Sequence, residues 1–229
     1  MIYYFFPLHY LNITFGYFAI SYEGTHSCGK SFHSWLAILG NVLESMRLRH
    51  KTNALLEELN NMYIHDALTG LLNRRGFESN SQDFYERSQL EKKTMAIFSI
   101  DMDNLKVVND KFGHKQGDIA LQTIGKAILH AAEPGDICAR IGGDEFSVAG
   151  MDYDKQKIQV FMNKFNEYLE NFNRNSGRPY LVGASCGWYL ITAPHEISLE
   201  VAIVKSDEHL YETKRDKKRS HRDCVLREV

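Results

Sequence analysis

Two acidic segments carry the side-chain types that bind hard cations. Asp144 and Glu145 follow the Gly142–Gly143 pair directly, and Asp101 and Asp103 close a short apolar run from Met95 to Ile100. Around the glycines, Ile137, Ala139 and Ile141 alternate with other residues, and Phe146 and Val148 resume the period of two. That alternation predicts a β-hairpin over Ala139 to Val148. Glycines at its bend permit backbone angles that side chains forbid, and let the backbone approach a ligand closely. Alone, an acidic hairpin tip can equally be a solvated turn. Asp101 alters that balance, because carboxylates at the C-terminal end of a buried strand sit where α/β proteins place ligands. If the two strands are neighbours, Asp101 and Asp144 converge on one volume. Such hard oxygen ligands favour Mg²⁺ or Mn²⁺ over zinc, and Mg²⁺ completes its octahedron with water and phosphate oxygens. A nucleoside triphosphate would supply those oxygens. Two ions so placed would activate an attacking hydroxyl and stabilise a leaving pyrophosphate. Lys106, Lys214 and Lys218 are candidate phosphate partners. For Lys214 and Lys218 a plainer role exists, since bases near a helix C-terminus complement its dipole.

The elements that must position these groups fit in a chain of 229 residues, which can bury a sizeable core and carry an accessory segment. A hydrophobic share of 44% and a charged share of 24% are those of an ordinary globular protein. The net charge of −2 argues against a general nucleic-acid surface. Cys28, Cys138, Cys186 and Cys224 are scattered, without C-x-x-C spacing, which fits a reducing, cytoplasmic setting. Met1 to Ile20 lack charge, but Pro7, His9, Asn12 and Thr14 break the run into pieces too short for a membrane span. Its Tyr, Phe and Ile content predicts two strands, Ile2–Phe6 and Ile13–Ser21. Two strands are not stable alone, so residues 1–30 read as the tail of a larger domain.

Residues 31–64 turn helical, with Phe32, Leu36, Leu39, Leu43 and Met46, then Leu55, Leu59 and Met62, at helical steps, and with Ser31 as the expected cap. The polar stretch Arg47–Asn53 interrupts any coiled-coil seam. A packed helix would satisfy this pattern, and so would a dimerising helix that links input to output. Asn73 is the expected cap of a helix to about Gln89, and the apolar steps from Ile119 to Leu129 predict another after Asp118. Helices follow over about Asp154–Phe172 and Leu199–Lys214, a strand interrupted by Gly187 over Leu181–Ile191, and a last strand at Cys224–Leu226. Helices interleaved with an antiparallel hairpin give an α/β or α+β class with one mixed sheet.

In this order the residues resemble the GGDEF domain, the diguanylate cyclase family. Gly142-Gly143-Asp144-Glu145-Phe146 spells its signature, and Asp66-x-Leu68-Thr69-Gly70-Leu71-x-Asn73-Arg74 is similar to its N-terminal turn. Asp101-x-Asp103-x-x-Lys106-x-x-Asn109-Asp110-x-x-Gly113-His114-x-x-Gly117-Asp118 resembles its nucleotide-binding block. Ser185-x-Gly187 and Asp207-x-x-Leu210-Tyr211-x-x-Lys214 resemble its later strand and last helix. The resemblance covers roughly Asp66 to Lys218. It implies a sheet like the palm of nucleotide cyclases and polymerases, surrounded by helices and preceded by an N-terminal helix. It assigns 65–229 to the cyclase domain and 31–64 to a signalling and dimerisation helix. Residues 1–30 resemble the end of a GAF-type sensor.

The implied reaction condenses two GTP into cyclic di-GMP and two pyrophosphates. By position, Asp101, Asp144 and the Met102 carbonyl would bind two Mg²⁺ or Mn²⁺ ions, and Asp144 would help deprotonate the 3′-hydroxyl. Asn109 and Asp118 would hydrogen-bond the guanine edge, where a carboxylate facing the N1 and N2 donors selects GTP over ATP. His114 would lie near the nucleoside, and Lys106, Lys214 and Lys218 near the phosphates. Gly142 and Gly143 would let the hairpin lie against the triphosphate. One domain holds one GTP, so a homodimer must bring two face to face, driven by an upstream sensor. A catalytically silent GTP-binding module that regulates a partner is the alternative. Two departures stand out. The family's Arg-x-x-Asp product site is here Glu133-Pro134-Gly135-Asp136, and Glu133 cannot grip an anion, which predicts weak or absent product inhibition. The family's Gly-Arg pair after the last helix is Lys217-Lys218, which keeps charge but loses the bidentate fork.

Overall fold

A computed structural model describes residues 2–22, 30–194 and 196–219, in two compact units, Met1–Asn60 and Asn61–Val229. In the first unit, β1 (Ile2–Tyr10) and β2 (Ile13–Tyr22) pair antiparallel around a turn whose Leu11 takes a positive φ of 48°. Both strands are longer than the pattern predicts, and Pro7 lies inside β1, opposite Tyr17. The helix α1 (Lys30–Ile64) is continuous through Arg47–Asn53. It begins before Ser31, which therefore sits in the first turn and is not the cap outside it. Gly40 and Glu44 are buried, Leu36, Leu39 and Leu43 are half-buried, and the Glu44 carboxylate accepts from Arg47 at 2.8 Å. A Cβ on Gly40 would come 2.7 Å from the His9 carbonyl oxygen, so glycine there permits close contact with β1. Met46, expected with the packed leucines, turns outward beside Trp35, Ile38 and Val42, because a step of three from Leu43 carries it past that face.

The second unit contains α2 (Arg74–Leu90), β3 (Met95–Met102), α3 (Leu105–Phe112), α4 (His114–Ala131), β4 (Ile137–Gly142), β5 (Glu145–Met151), α5 (Lys155–Asn175), β6 (Ala184–Ile191) and α6 (Leu199–Arg219). Asn73 caps α2 as expected, its side chain accepting from the Gly76 amide at 3.0 Å. The helix predicted after Asp118 starts earlier, at His114, because Gly113 with φ of 85° breaks the chain between α3 and α4. Cys224–Leu226 lies outside the described residues.

The four strands run in the order β4-β5-β3-β6 with every pair antiparallel. The expectation of a mixed sheet is met only at its edge, where an isolated parallel bridge joins Leu72 to Ala139. Strand β3 is buried along its whole length, and its residues alternate between two cores. Phe98, Ile100 and Met102 pack with Ile124 and Ile128 of α4 and Phe161 and Phe165 of α5. Met95 and Ile97 pack on the other side with Phe77 of α2 and Leu199 and Ala202 of α6. On that second face the sequence turns polar, from Met95 and Ile97 to Ser99 and then Asp101. The same alternation that buries the apolar residues therefore points Asp101 towards α6.

Strand β6 passes through Gly187 without interruption, contrary to the expectation from sequence. A Cβ there would lie 2.1 Å from the Leu210 amide nitrogen and 2.3 Å from the Ser206 carbonyl oxygen. Glycine thus lets α6 rest its backbone directly on the strand. Ser99, paired with Gly187 across the sheet, meets Ser206 of α6 oxygen to oxygen at 2.7 Å.

Candidate active site

Asp101 and the hairpin tip come together through the β3–β5 ladder. Register places Asp101 opposite Glu145, and the Met102 amide donates to the Asp144 carbonyl at 2.9 Å, so the turn is tied to the end of β3. Gly143, the first residue of the two-residue turn, has φ of 50°, where glycine carries little strain. Arg140 braces the turn from behind. Its guanidinium donates to the Gly143 carbonyl at 2.7 and 3.0 Å and to the Asp66 carboxylate at 3.2 Å. Burial would raise the Asp66 carboxyl, but hydrogen bonds from Thr69 and the Arg140 charge outweigh it and hold it below its ordinary value.

A cleft of about 200 Å³ opens at this end of the sheet, lined by Asp101, Met102, Asp103, Lys106, Asp144, Ser185, Lys214 and Lys218 among others. Asp101 is 9% exposed, and its Oδ2 lies 2.7 Å from Lys214 Nζ. Burial pushes the Asp101 carboxyl above the ordinary range, Lys214 pulls it back, and the charges of Asp144 and Asp103 add to the rise. Asp103 accepts from Ser185 Oγ at 2.7 Å and pairs with Lys217 at 2.9 Å. Cys138 and Cys186 are buried and free, and burial pushes both thiols up to about 12, which leaves them unsuited to act as nucleophiles.

The other expected site residues are not among those that line this cleft. Asn109 is on α3, and His114 and Asp118 are on the first turns of α4. A Cβ on Gly117 would come within 2.0 Å of Asn109 Oδ1, so the Asn109 amide occupies the notch that this glycine leaves, next to Asp118. Gly142 and Gly143 line a separate hollow on the outer side of the hairpin, with Tyr63, Asp66 and Arg140. Lys214 and Lys218 line the cleft as the sequence predicts, whereas Asp103 and Ser185, also in the lining, and Lys217 beside them carry no role in that expectation. The spacing of Lys217, three residues after Lys214, was the available signal, since it puts both ammonium groups on one face of α6.

Among the described residues, no three His, Cys, Asp or Glu side chains converge as a complete metal cage. Two carboxylates and one main-chain carbonyl are nevertheless the donor set that suits Mg²⁺, which takes one or two carboxylates and fills its shell from phosphates and water. The residues present fit such an ion, with water or a polyphosphate filling the rest of its shell.

Fold and site together define a palm-like α/β domain with an acidic, lysine-rimmed cleft at one end of an antiparallel sheet. Residues 63–220 match the family described as "Diguanylate cyclase, GGDEF domain", and the chain belongs to that family. It is 31% identical over 157 residues to diguanylate cyclase DgcP of Escherichia coli (strain K12), a match covering 68% of this chain and 46% of that protein. The chain thus spans less than half the length of that curated relative. The diguanylate cyclase SiaD from Pseudomonas aeruginosa, solved in complex with its activator SiaC, superposes with a TM-score of 0.63 at 27% identity, over 82% of this chain and 72% of that one. The coiled coil and GGDEF domain of DgcB from Caulobacter crescentus, solved with c-di-GMP, shares the fold with a TM-score of 0.70 at 21% identity, over 83% and 98% of the two chains. Among the described residues, no helix is long and apolar enough to cross a membrane.

Proposed function

We propose that the protein is a diguanylate cyclase that joins two GTP molecules into cyclic di-GMP and releases two pyrophosphates. The observation that carries this reading is the meeting of Asp101 and the Asp144 turn in one lysine-rimmed cleft. Asp101, Asp144 and the Met102 carbonyl would hold two Mg²⁺ or Mn²⁺ ions. When bound, these ions would polarise the phosphates and offset the charge that develops on the leaving pyrophosphate. Asp144, half-buried at the turn and braced through its own carbonyl and that of Gly143, takes the proton of the 3′-hydroxyl. Lys106, Lys214 and Lys218 line the cleft and steady the triphosphate. Asn109 and Asp118, on adjoining helices, read the guanine edge, with His114 beside the nucleoside. Gly142 and Gly143, which border the neighbouring hollow and not the cleft, would let the turn that carries Asp144 close onto the triphosphate.

Each 3′-hydroxyl must attack the α-phosphate held by another copy, so catalysis requires a homodimer. Helix α1 exposes Trp35, Ile38, Val42 and Met46 at three- and four-residue steps, an apolar stripe suited to a second copy of itself. On this reading residues 31–64 transmit and dimerise, residues 65–229 are the cyclase domain, and residues 1–30 end a sensor whose state sets the dimer geometry. Asp136 is engaged inside the fold, accepting from the Tyr153 hydroxyl at 2.6 Å and the Glu133 amide at 2.8 Å. Glu133 stands where the family has arginine and pairs with Lys164 at 3.4 Å, so the bidentate grip on product is lost at this turn, and inhibition there is weak or absent. The test is formation of cyclic di-GMP from GTP and Mg²⁺, with Asp144→Ala as the folded control. Binding of GTP without pyrophosphate release would support a silent GTP-binding module instead.

A further inference from the structure

Helix α6 brings two lysines, one turn apart, to the two carboxylates that flank Met102. Lys214 Nζ lies 2.7 Å from Asp101 Oδ2, and Lys217 Nζ lies 2.9 Å from Asp103 Oδ2. The two pairs differ in how they are held. Lys217 also donates to the Ala184 carbonyl at 2.6 Å, and Asp103 accepts from Ser185 Oγ at 2.7 Å while its amide donates to the Gly183 carbonyl at 2.9 Å. These contacts join the end of β3, the start of β6 and the last turns of α6 in one closed set. The Lys214 ammonium has Asp101 as its one ion-pair partner among the described residues, and its side chain is a third exposed, as is that of Lys217, so the difference between the pairs lies in the added hydrogen bonds of the second. The Lys214 ammonium stands on a four-carbon stem with freedom to swing into the cleft it already lines.

Asp101 is also the carboxylate that the proposed function assigns to the metal, and the present inference rests on that reading. One carboxylate cannot serve an ammonium at hydrogen-bond distance and a divalent cation in its inner shell without bringing two like charges together in a partly dry site. We propose that Lys214 is a resident counter-cation, which holds Asp101 in the metal-free protein, yields it to the incoming metal and moves to the substrate polyphosphate. The Lys217–Asp103–Ser185 set is the fixed pin that keeps α6 docked during this exchange. The exchange moves no covalent bond, and charge balances throughout. The ammonium leaves one anion as a cation takes its place and meets another anion brought by the nucleotide.

The experiment is a titration of Mn²⁺ alone into the purified full chain, followed by electron paramagnetic resonance, with no nucleotide present. Lys214→Gln should bind Mn²⁺ about tenfold more tightly than wild type, the scale expected when one charge-assisted competitor is removed. Lys214→Arg, which keeps the competing charge, should return the affinity to within about threefold of wild type. Lys217→Gln should leave Mn²⁺ affinity within about twofold of wild type while lowering the melting temperature by several degrees. Equal or weaker binding by Lys214→Gln, with Asp101→Asn abolishing the signal, would overturn the exchange and leave the metal site intact. If Asp101→Asn binds as well as wild type, the metal reading itself falls and the exchange falls with it. Both fall equally if Lys214→Gln binds no Mn²⁺ at millimolar metal.

Discussion

Gly187 offers the sharpest structural test of how the site is positioned. A methyl group there meets helix backbone and not a side chain that can rotate away, at 2.1 Å from the Leu210 nitrogen and 2.6 Å from its Cα. Ordinary contact needs about 3.5 Å, so Gly187→Ala obliges α6 to retreat by more than 1 Å or the sheet to buckle. Overpacking of this kind costs about 1–3 kcal/mol, and a clash against backbone on both sides of the contact belongs at the upper end. For a domain of this size that is a fall of about 6–12 °C in melting temperature. The displacement also carries Lys214, four residues past Leu210, away from Asp101, so activity should fall further than stability explains. The assay is thermal unfolding by circular dichroism together with GTP turnover well below the new melting point. A drop of less than about 2 °C with wild-type turnover would refute the claim that direct backbone contact at Gly187 sets the position of α6.

Three further outcomes follow from buried carboxylates. Burial raises the Asp101 carboxyl, with Lys214 opposing, so the folded state holds that proton more tightly than the unfolded chain. Its contribution to stability is therefore full at low pH and is lost as pH rises from about 4 through the raised value. Asp101→Asn should match wild type near pH 4 and melt higher at pH 7 to 8 although it is inactive; a lower melting point at pH 8 would contradict the sign. Asp136→Ala leaves the Tyr153 hydroxyl, on a residue only 1% exposed, without its acceptor, and should cost about 1–3 kcal/mol in denaturant unfolding. The same variant should leave the response to cyclic di-GMP unchanged, whereas micromolar inhibition that disappears in it would restore a product site at this turn.

The parts of the fold legible in the sequence are those fixed by local rules. The period of two around Gly142–Gly143, the Asn73 cap and the apolar steps of the helices each depend on a few neighbouring residues. Boundaries failed where a distant surface decided the matter. Gly187 looked like a break in a strand because a glycine contributes no side chain to a sheet; its reason is the backbone of α6, 19 to 23 residues further on. Beyond the β4–β5 hairpin, strand direction was likewise out of reach, since only tertiary packing orders β4-β5-β3-β6 and leaves the parallel contact to Leu72. At the site, Asp101 and Asp144 were readable as a pair because one closes a buried apolar strand and the other follows the glycines of a hairpin turn. Lys217 was not, because a lysine near a helix C-terminus is ordinary until Asp103, 114 residues earlier, is seen beneath it.

Under the proposed function, two chains complete a reaction that neither performs alone. Cyclic di-GMP formation should be followed by chromatography with saturating GTP and Mg²⁺ over a wide range of protein concentration, for wild type and for Asp144→Ala. Activity per chain should rise with protein concentration towards a plateau, and Asp144→Ala should make no product at any concentration while still folded. Activity per chain that stays constant as the protein is diluted to the monomer, or product from Asp144→Ala at the wild-type rate, would contradict the claim.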